Sequence, residues 1–243
     1  MKIIALYSPK GGVGKSVTSV NLSYLLSADG KKTLLWDFDP QGASSFYFQV
    51  EQELSKKIED IFTEKKSLRK SITKTQYANL FVLPSDFSFR NLDLIIDAMK
   101  KPIKKLKNTI SEVNDYDFLI IDSPPGFTNL NKLISKISDT ILVPVIPTYL
   151  SLRTLDKLKF FMDSIGVNNE KIFPFFSMAD RRKKLHRQII EEKIGEFEIK
   201  TVIPYSAEIE KMGETLLPVP LFSKNKRLIE IYHNLKQEII DNA

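Results

Sequence analysis

The segment Pro9-Lys10-Gly11-Gly12-Val13-Gly14-Lys15-Ser16 concentrates more chemistry than any other stretch of this sequence. Bare glycine backbone lets several N–H groups converge on phosphate oxygens, and a helix starting behind the loop adds the positive end of its dipole. Lys15 can neutralise β- and γ-phosphates, and the Ser16 hydroxyl can ligate Mg²⁺. The spacing is that of the phosphate-binding pattern G-x-x-x-x-G-K-[ST], with Pro9 in place of the first glycine and an added lysine at Lys10. Two acidic segments complement the loop. Asp37-Phe38-Asp39-Pro40-Gln41-Gly42 follows one apolar run, and Asp122 closes another, Phe118–Ile121. A carboxylate at a strand end either caps a turn or holds Mg²⁺ through water. Beside a phosphate loop, the metal role prevails.

These residues need a frame that brings distant segments to one edge. Ile3–Tyr7 and Thr33–Trp36 are short apolar runs, as expected of strands buried on both faces. Further strands are predicted at Leu80–Leu83, Phe118–Ile121, Thr140–Val145, Lys171–Phe176 and Lys200–Ile203. Helical patterns alternate with them. Val17–Ser27 forms one, stopped by Asp29-Gly30; Leu92, Ile95, Ile96 and Met99 share one face, and Ile103, Leu106, Ile110 and Val113 another. Pro102 separates those last two as a helix start. Such alternation implies right-handed crossovers and an α/β fold with a doubly wound, mostly parallel sheet flanked by helices. Ligands bind such sheets beyond the carboxyl ends of the strands. No linker or repeat stands out, so residues 1–243 are expected to form a single domain.

Composition narrows the chemistry. The 243 residues contain no cysteine, which excludes disulfides, thiolate nucleophiles and all-Cys iron–sulfur clusters. His186 and His233 are far apart and make a poor metal site. A formal charge of +6 favours an anionic partner. With no apolar stretch long enough to span a membrane, and an N-terminal run too short for a signal-peptide core, the chain is expected to be cytoplasmic.

Lys10–Ser16 (KGGVGKS) resembles the deviant Walker A motif of the ParA/MinD family of P-loop ATPases. Asp37–Gly42 is similar to the family's DxDPQG, and Phe118–Gly126 (FLIIDSPPG) to its Walker B and switch II. Ile203-Pro204 resembles a late motif of the ParA branch. The order and spacing of these motifs match over nearly the whole chain. The resemblance implies a P-loop NTPase fold and an Mg²⁺-dependent ATPase whose ATP-bound form is a homodimer. Lys15 would hold its own subunit's phosphates, while Lys10 would reach the partner's nucleotide. Gly11, Gly12, Val13, Gly14, Ser16 and Val17 would complete the phosphate cradle. Ser16, Asp39 and Asp122 would serve the metal. Asp39 would help order the attacking water, and Asp37 would support loop and metal from behind. Met178 and Pro204 would flank the adenine, although ordinary loop packing accounts for both equally well. Two departures stand out: Val17 where most relatives carry Thr or Ser, and Tyr205 where ParA relatives commonly carry Arg.

Arg181, Arg182, Lys183, Lys184 and Arg187 form one basic cluster, and Lys100, Lys101, Lys104, Lys105 and Lys107 a second. Charge runs are usually solvated helix faces. The resemblance gives them another use, nonspecific DNA binding by the ATP dimer, with the first cluster favoured. It further implies a ParB-like or other cargo adaptor that stimulates hydrolysis, and a nucleoid-associated, cytoplasmic protein. A MinD-like membrane positioner is the alternative. The C-terminal stripe of Leu228, Ile231, Tyr232, Leu235 and Ile239 bears on it, but with Glu230, Glu238 and Asp241 alongside, it is expected to pack on the core. A metabolic P-loop enzyme is a third reading, disfavoured by the DxDPQG segment.

Overall fold

The computed structural model describes residues 1–50 and 68–242. Eight strands form one sheet in the order β3-β4-β2-β5-β1-β6-β7-β8. They are β1 (Lys2–Leu6), β2 (Thr33–Asp37), β3 (Thr73–Lys74), β4 (Leu80–Leu83), β5 (Phe118–Asp122), β6 (Thr140–Val145), β7 (Ile172–Ala179) and β8 (Val202–Pro204). Every pairing is parallel except that of β3 with β4.

The alternation of side chains along each strand divides the core into two faces. Ile4 and Leu6, Leu35, Ile120 and Leu142 point to one face. There they meet α1 (Lys15–Ala28) and the long C-terminal helix, whose Leu228, Tyr232, Leu235 and Ile239 are buried. Ala5, Leu34, Trp36, Leu119 and Ile121 point to the other face. That face is covered by α3 (Leu92–Ala98), α4 (Pro102–Ser111) and α5 (Asn129–Ile137). Beyond them, α6 (Tyr149–Ser164) and α7 (Lys184–Lys193) cover β6 and β7. The C-terminal stripe is thus spent on the core, as its acidic neighbours suggested. Among the described residues, no helix is long and apolar enough to cross a membrane.

Several boundaries differ from those read in the sequence. The first helix begins at Lys15 rather than Val17, so the lysine and Ser16 form its first turn. β7 continues through Ser177 and Met178 to Ala179, past the expected end at Phe176. β8 starts at Val202, because the backbone N–H groups of Lys200 and Thr201 are taken by the Glu238 carboxylate instead of a neighbouring strand. Pro144 lies inside β6 at no cost to the β1 ladder, since β1 pairs only with Thr140–Leu142 before turning away.

Candidate functional site

The register sets three strand ends at one level. Leu6 of β1 and Asp37 of β2 both lie beside Asp122 of β5. The loops leaving them therefore share one space, at the carboxyl edge where the topology also reverses direction around β1.

The phosphate loop joins β1 to α1. Gly12 and Gly14 adopt φ of 69° and 92°, a region L side chains rarely enter. At Gly14, a Cβ would also stand 2.9 Å from the Ser177 hydroxyl of β7. The loop's two lysines have opposite environments. Lys15 is only 6% exposed, whereas Lys10, Gly11 and Gly12 face solvent. Burial lowers the Lys15 pKa, opposed by the charges of Asp122 and Asp39.

Those carboxylates sit on a network of short polar side chains. Asp37, fully buried, accepts hydrogen bonds from Ser45 N at 2.9 Å, Ser45 Oγ at 2.8 Å and Asp39 N at 3.1 Å. Asp122 Oδ2 accepts from Ser44 Oγ at 2.5 Å, while Oδ1 is buried without a partner. Burial pushes both carboxyl groups above the ordinary range. Asp37 is raised further by the Asp122 charge; Asp122 is drawn back by the neighbouring hydroxyls of Ser44 and Ser16 and by the Lys15 charge. Ser85 closes the network, its N–H bonding Ser45 Oγ and its hydroxyl bonding the Asp39 carbonyl. Ser44 and Ser45 belong to the short helix α2 (Ala43–Tyr47).

Among the described residues, no three acidic or histidine side chains form a metal cage of their own. Asp122, with the Ser16 hydroxyl beside it, offers oxygen donors of the kind taken by Mg²⁺, which keeps most of its waters and takes one or two carboxylates plus substrate phosphates. The unpartnered Asp122 Oδ1 fits this requirement, being a buried acceptor that a metal-bound water would satisfy.

The segment after Asp122 is fastened to the phosphate loop. Gly126 N donates to the Pro9 carbonyl at 3.0 Å, and the Tyr7 hydroxyl to the Gly126 carbonyl at 2.9 Å. The Asn131 amide donates to the carbonyls of Pro124 and Gly126. Sequence reasoning missed Tyr7, Asn131, Ser44, Ser45 and Ser85, since none belongs to a recognisable phosphate or metal pattern.

A cavity of about 360 Å³ opens beside the loop. Gly12, Gly14 and Val17 line one side; Met178 and Pro204 line another, with Tyr47, Tyr205 and Glu210 among the remaining walls. Met178 takes a positive φ of 53° at an irregularity between Phe176 and Ala179, which is why the strand pattern was unreadable there. Tyr205 N then bonds the Ala179 carbonyl, holding the ends of β7 and β8 together at the cavity.

The basic cluster begins directly after this wall. Arg181, Arg182, Lys183, Lys184 and Arg187 are all exposed. Arg182 forks onto Asp180 at 2.9 and 3.0 Å, and Arg187 bonds the Arg181 carbonyl. Arg182 beside it holds Asp180 down to about 2. His186 is buried and its Nδ1 accepts from Asp180 N at 3.1 Å, so it belongs to the loop's own frame.

The AAA_31 family model, described as an AAA domain, matches residues 1–174. The sporulation initiation inhibitor protein Soj of Bacillus subtilis is 31% identical, with 100% of this chain and 99% of that protein covered. The chromosome-partitioning ATPase Soj of Treponema pallidum is 30% identical, covering 98% and 97%. Among solved structures, a Borrelia burgdorferi plasmid partition protein bound to AMPPNP superposes with a TM-score of 0.83. It covers 100% of this chain and 99% of its own at 23% identity, a likeness of fold.

Proposed function

Because this chain belongs to the ParA/MinD family of P-loop ATPases, we propose that it is an Mg²⁺-dependent ATPase whose ATP-bound homodimer binds DNA nonspecifically. The observation that carries this reading is the division between two lysines of one loop. Lys15 is buried beside its own carboxylates, placed to hold β- and γ-phosphates within the subunit. Lys10 faces solvent a few residues away, free to reach a nucleotide held by a second copy. Phosphoryl transfer needs positioning and charge neutralisation more than covalent chemistry. A lysine delivered only by a dimer would therefore make hydrolysis slow in the monomer.

The remaining roles follow from position. Gly11, Gly12, Val13, Gly14 and Val17 supply backbone contacts around the phosphates, and Val17 leaves one hydroxyl fewer than most relatives provide. Ser16, Asp39 and Asp122 would hold the metal, which would supply neutralisation of phosphate charge. Asp39 orders the attacking water, and Met178 and Pro204 flank the base. The whole chain, residues 1–243, acts as one ATPase unit in the cytoplasm, at the nucleoid. Its task is segregation or positioning of DNA or another cargo, with a ParB-like or other adaptor stimulating hydrolysis. A membrane-surface role draws no support from the C-terminal helix, whose apolar stripe is buried.

The DNA surface is assigned to Arg181–Arg187, at the same carboxyl edge as the nucleotide cavity. Fluorescence anisotropy with a labelled duplex tests this. Affinity should require ATP and fall by roughly 0.9 log units per log unit of salt for each phosphate neutralised. Reversing Arg182 and Lys184 to Glu should abolish DNA binding and leave nucleotide binding intact. Binding that is indifferent to ATP, or to the reversals, would return the cluster to a solvated face and make Lys100–Lys107 the next candidate.

A further inference from the structure

We infer that Ser44 is a positioning residue for the divalent cation, fixing which Asp122 oxygen faces the metal. The inference rests on the reading of Asp122 as a metal-side carboxylate, and it adds a component that no phosphate-loop or switch pattern contains. Ser44 is fully buried, and its hydroxyl donates to Asp122 Oδ2 at 2.5 Å. Asp122 Oδ1 is buried without a hydrogen-bond partner, and the Ser16 hydroxyl is the other polar group close to the carboxyl. A carboxylate held by one oxygen has its rotation about the terminal torsion restricted, so its second oxygen is presented in a fixed direction. Without Ser44, either oxygen could swing toward the buried Lys15, whose charge acts on Asp122.

The same bond links the metal side of the site to the segment carrying Asp39. Ser44 lies in α2, five residues after Asp39, and Ser45 beside it anchors the helix to Asp37. Gly42 N bonds the Asp39 carbonyl, which also accepts from the Ser85 hydroxyl. The seating of α2 is therefore coupled directly to the orientation of Asp122. A cation that draws on Asp122 Oδ1 is sensed by the Asp39 segment through one hydroxyl.

The test is Ser44→Ala, a small truncation within a helix. Binding of a fluorescent ATP analogue is titrated with Mg²⁺ at fixed nucleotide, and measured separately in EDTA. Loss of an outer partner to a metal ligand typically costs 10–100-fold in metal affinity. The Mg²⁺ concentration for half-maximal response should rise by about tenfold or more, with affinity in EDTA unchanged within about twofold. An unchanged Mg²⁺ midpoint would overturn the inference, and so would an equal loss of binding with and without Mg²⁺, which marks a merely structural serine. If wild type itself shows no Mg²⁺-dependent response, the reading of Asp122 fails rather than that of Ser44 alone.

Discussion

Gly14→Ala tests whether the phosphate loop is fixed by local backbone geometry or by its contact with β7. Two costs can be separated in the structure. The first is conformational: Gly14 has φ of 92° and ψ of 20°, and an L residue in the left-handed region costs about 1–2 kcal/mol. The second is steric, because the new Cβ would lie 2.9 Å from Ser177 Oγ. Ser177 is 2% exposed, so it yields only by leaving its rotamer, at about 0.5–1.5 kcal/mol. Together these predict a loss of about 1.5–3.5 kcal/mol in urea unfolding of the nucleotide-free protein. Ser177→Ala removes the obstructing oxygen and leaves φ untouched. The double variant should therefore recover the steric part, a coupling of about 0.5–1.5 kcal/mol. Both glycine variants should bind ATP weakly, because the displaced N–H groups no longer converge. Strict additivity of the two substitutions, within about 0.3 kcal/mol, would refute the steric argument and leave only the backbone cost.

Lys10→Ala should bind ATP as wild type does but fail to dimerise with a non-hydrolysable analogue in analytical ultracentrifugation; equal dimerisation would exclude the trans role. Asp39→Ala should dimerise with ATP yet turn it over at a small fraction of the wild-type rate in a phosphate-release assay, and a wild-type rate would move the water-ordering role elsewhere. The buried carboxyl groups predict an unusual pH response. Asp37 and Asp122 have folded pKa values above the unfolded ones, near 4, so the folded chain binds more protons. Stability of the nucleotide-free protein should then rise as pH falls through the raised values toward about 4, until other carboxylates intervene. Thermal melting across that range should show the slope, and Asp37→Asn should flatten it; a slope of the opposite sign would mean that both groups are ionised and stabilised in the fold.

What was legible in the sequence was what repeats or punctuates. Strands β1, β2 and β5 are apolar runs because both faces of a central parallel strand are covered, and β2 and β5 each end on an aspartate at the carboxyl edge. The glycines of the loop were legible because φ values of 69° and 92° leave little choice of residue. Met178 and Pro204 line one cavity, but the positive φ of Met178 could not be foreseen, since nothing in a methionine signals it. Ser44, Ser45 and Ser85 were invisible for the opposite reason. Short hydroxyl residues near turns ordinarily bond local backbone, and only the folded register shows Ser44 reaching a carboxylate 78 residues away. Helices of four residues, such as Ala207–Glu210 and Met212–Thr215, span barely one turn and display no period to read.

The two basic groups proposed to meet nucleotide and DNA lie in contrasting electrostatic settings. Lys15 is nearly enclosed and faces buried Asp122 and half-buried Asp39, so removing its charge leaves the buried Asp122 without its compensating cation. It cannot exchange partners cheaply, and it is placed for a phosphate that enters the cradle. Arg182 is the converse. Its bond to Asp180 is bidentate, but the arginine side chain is 81% exposed against 13% for the aspartate, so solvent and salt screen the arginine's end of the pair. Replacing Asp180 by a DNA phosphate is therefore nearly free of penalty for the arginine. Asp180 also follows Ala179, whose carbonyl is bonded to Tyr205 at the cavity wall, and it takes its N–H bond from buried His186. A nucleotide base pressing on Met178 and Tyr205 would act on the backbone two or three residues before the arginines. In the proposed DNA surface the loop's backbone is thus tied to buried groups while the guanidinium it carries is exposed.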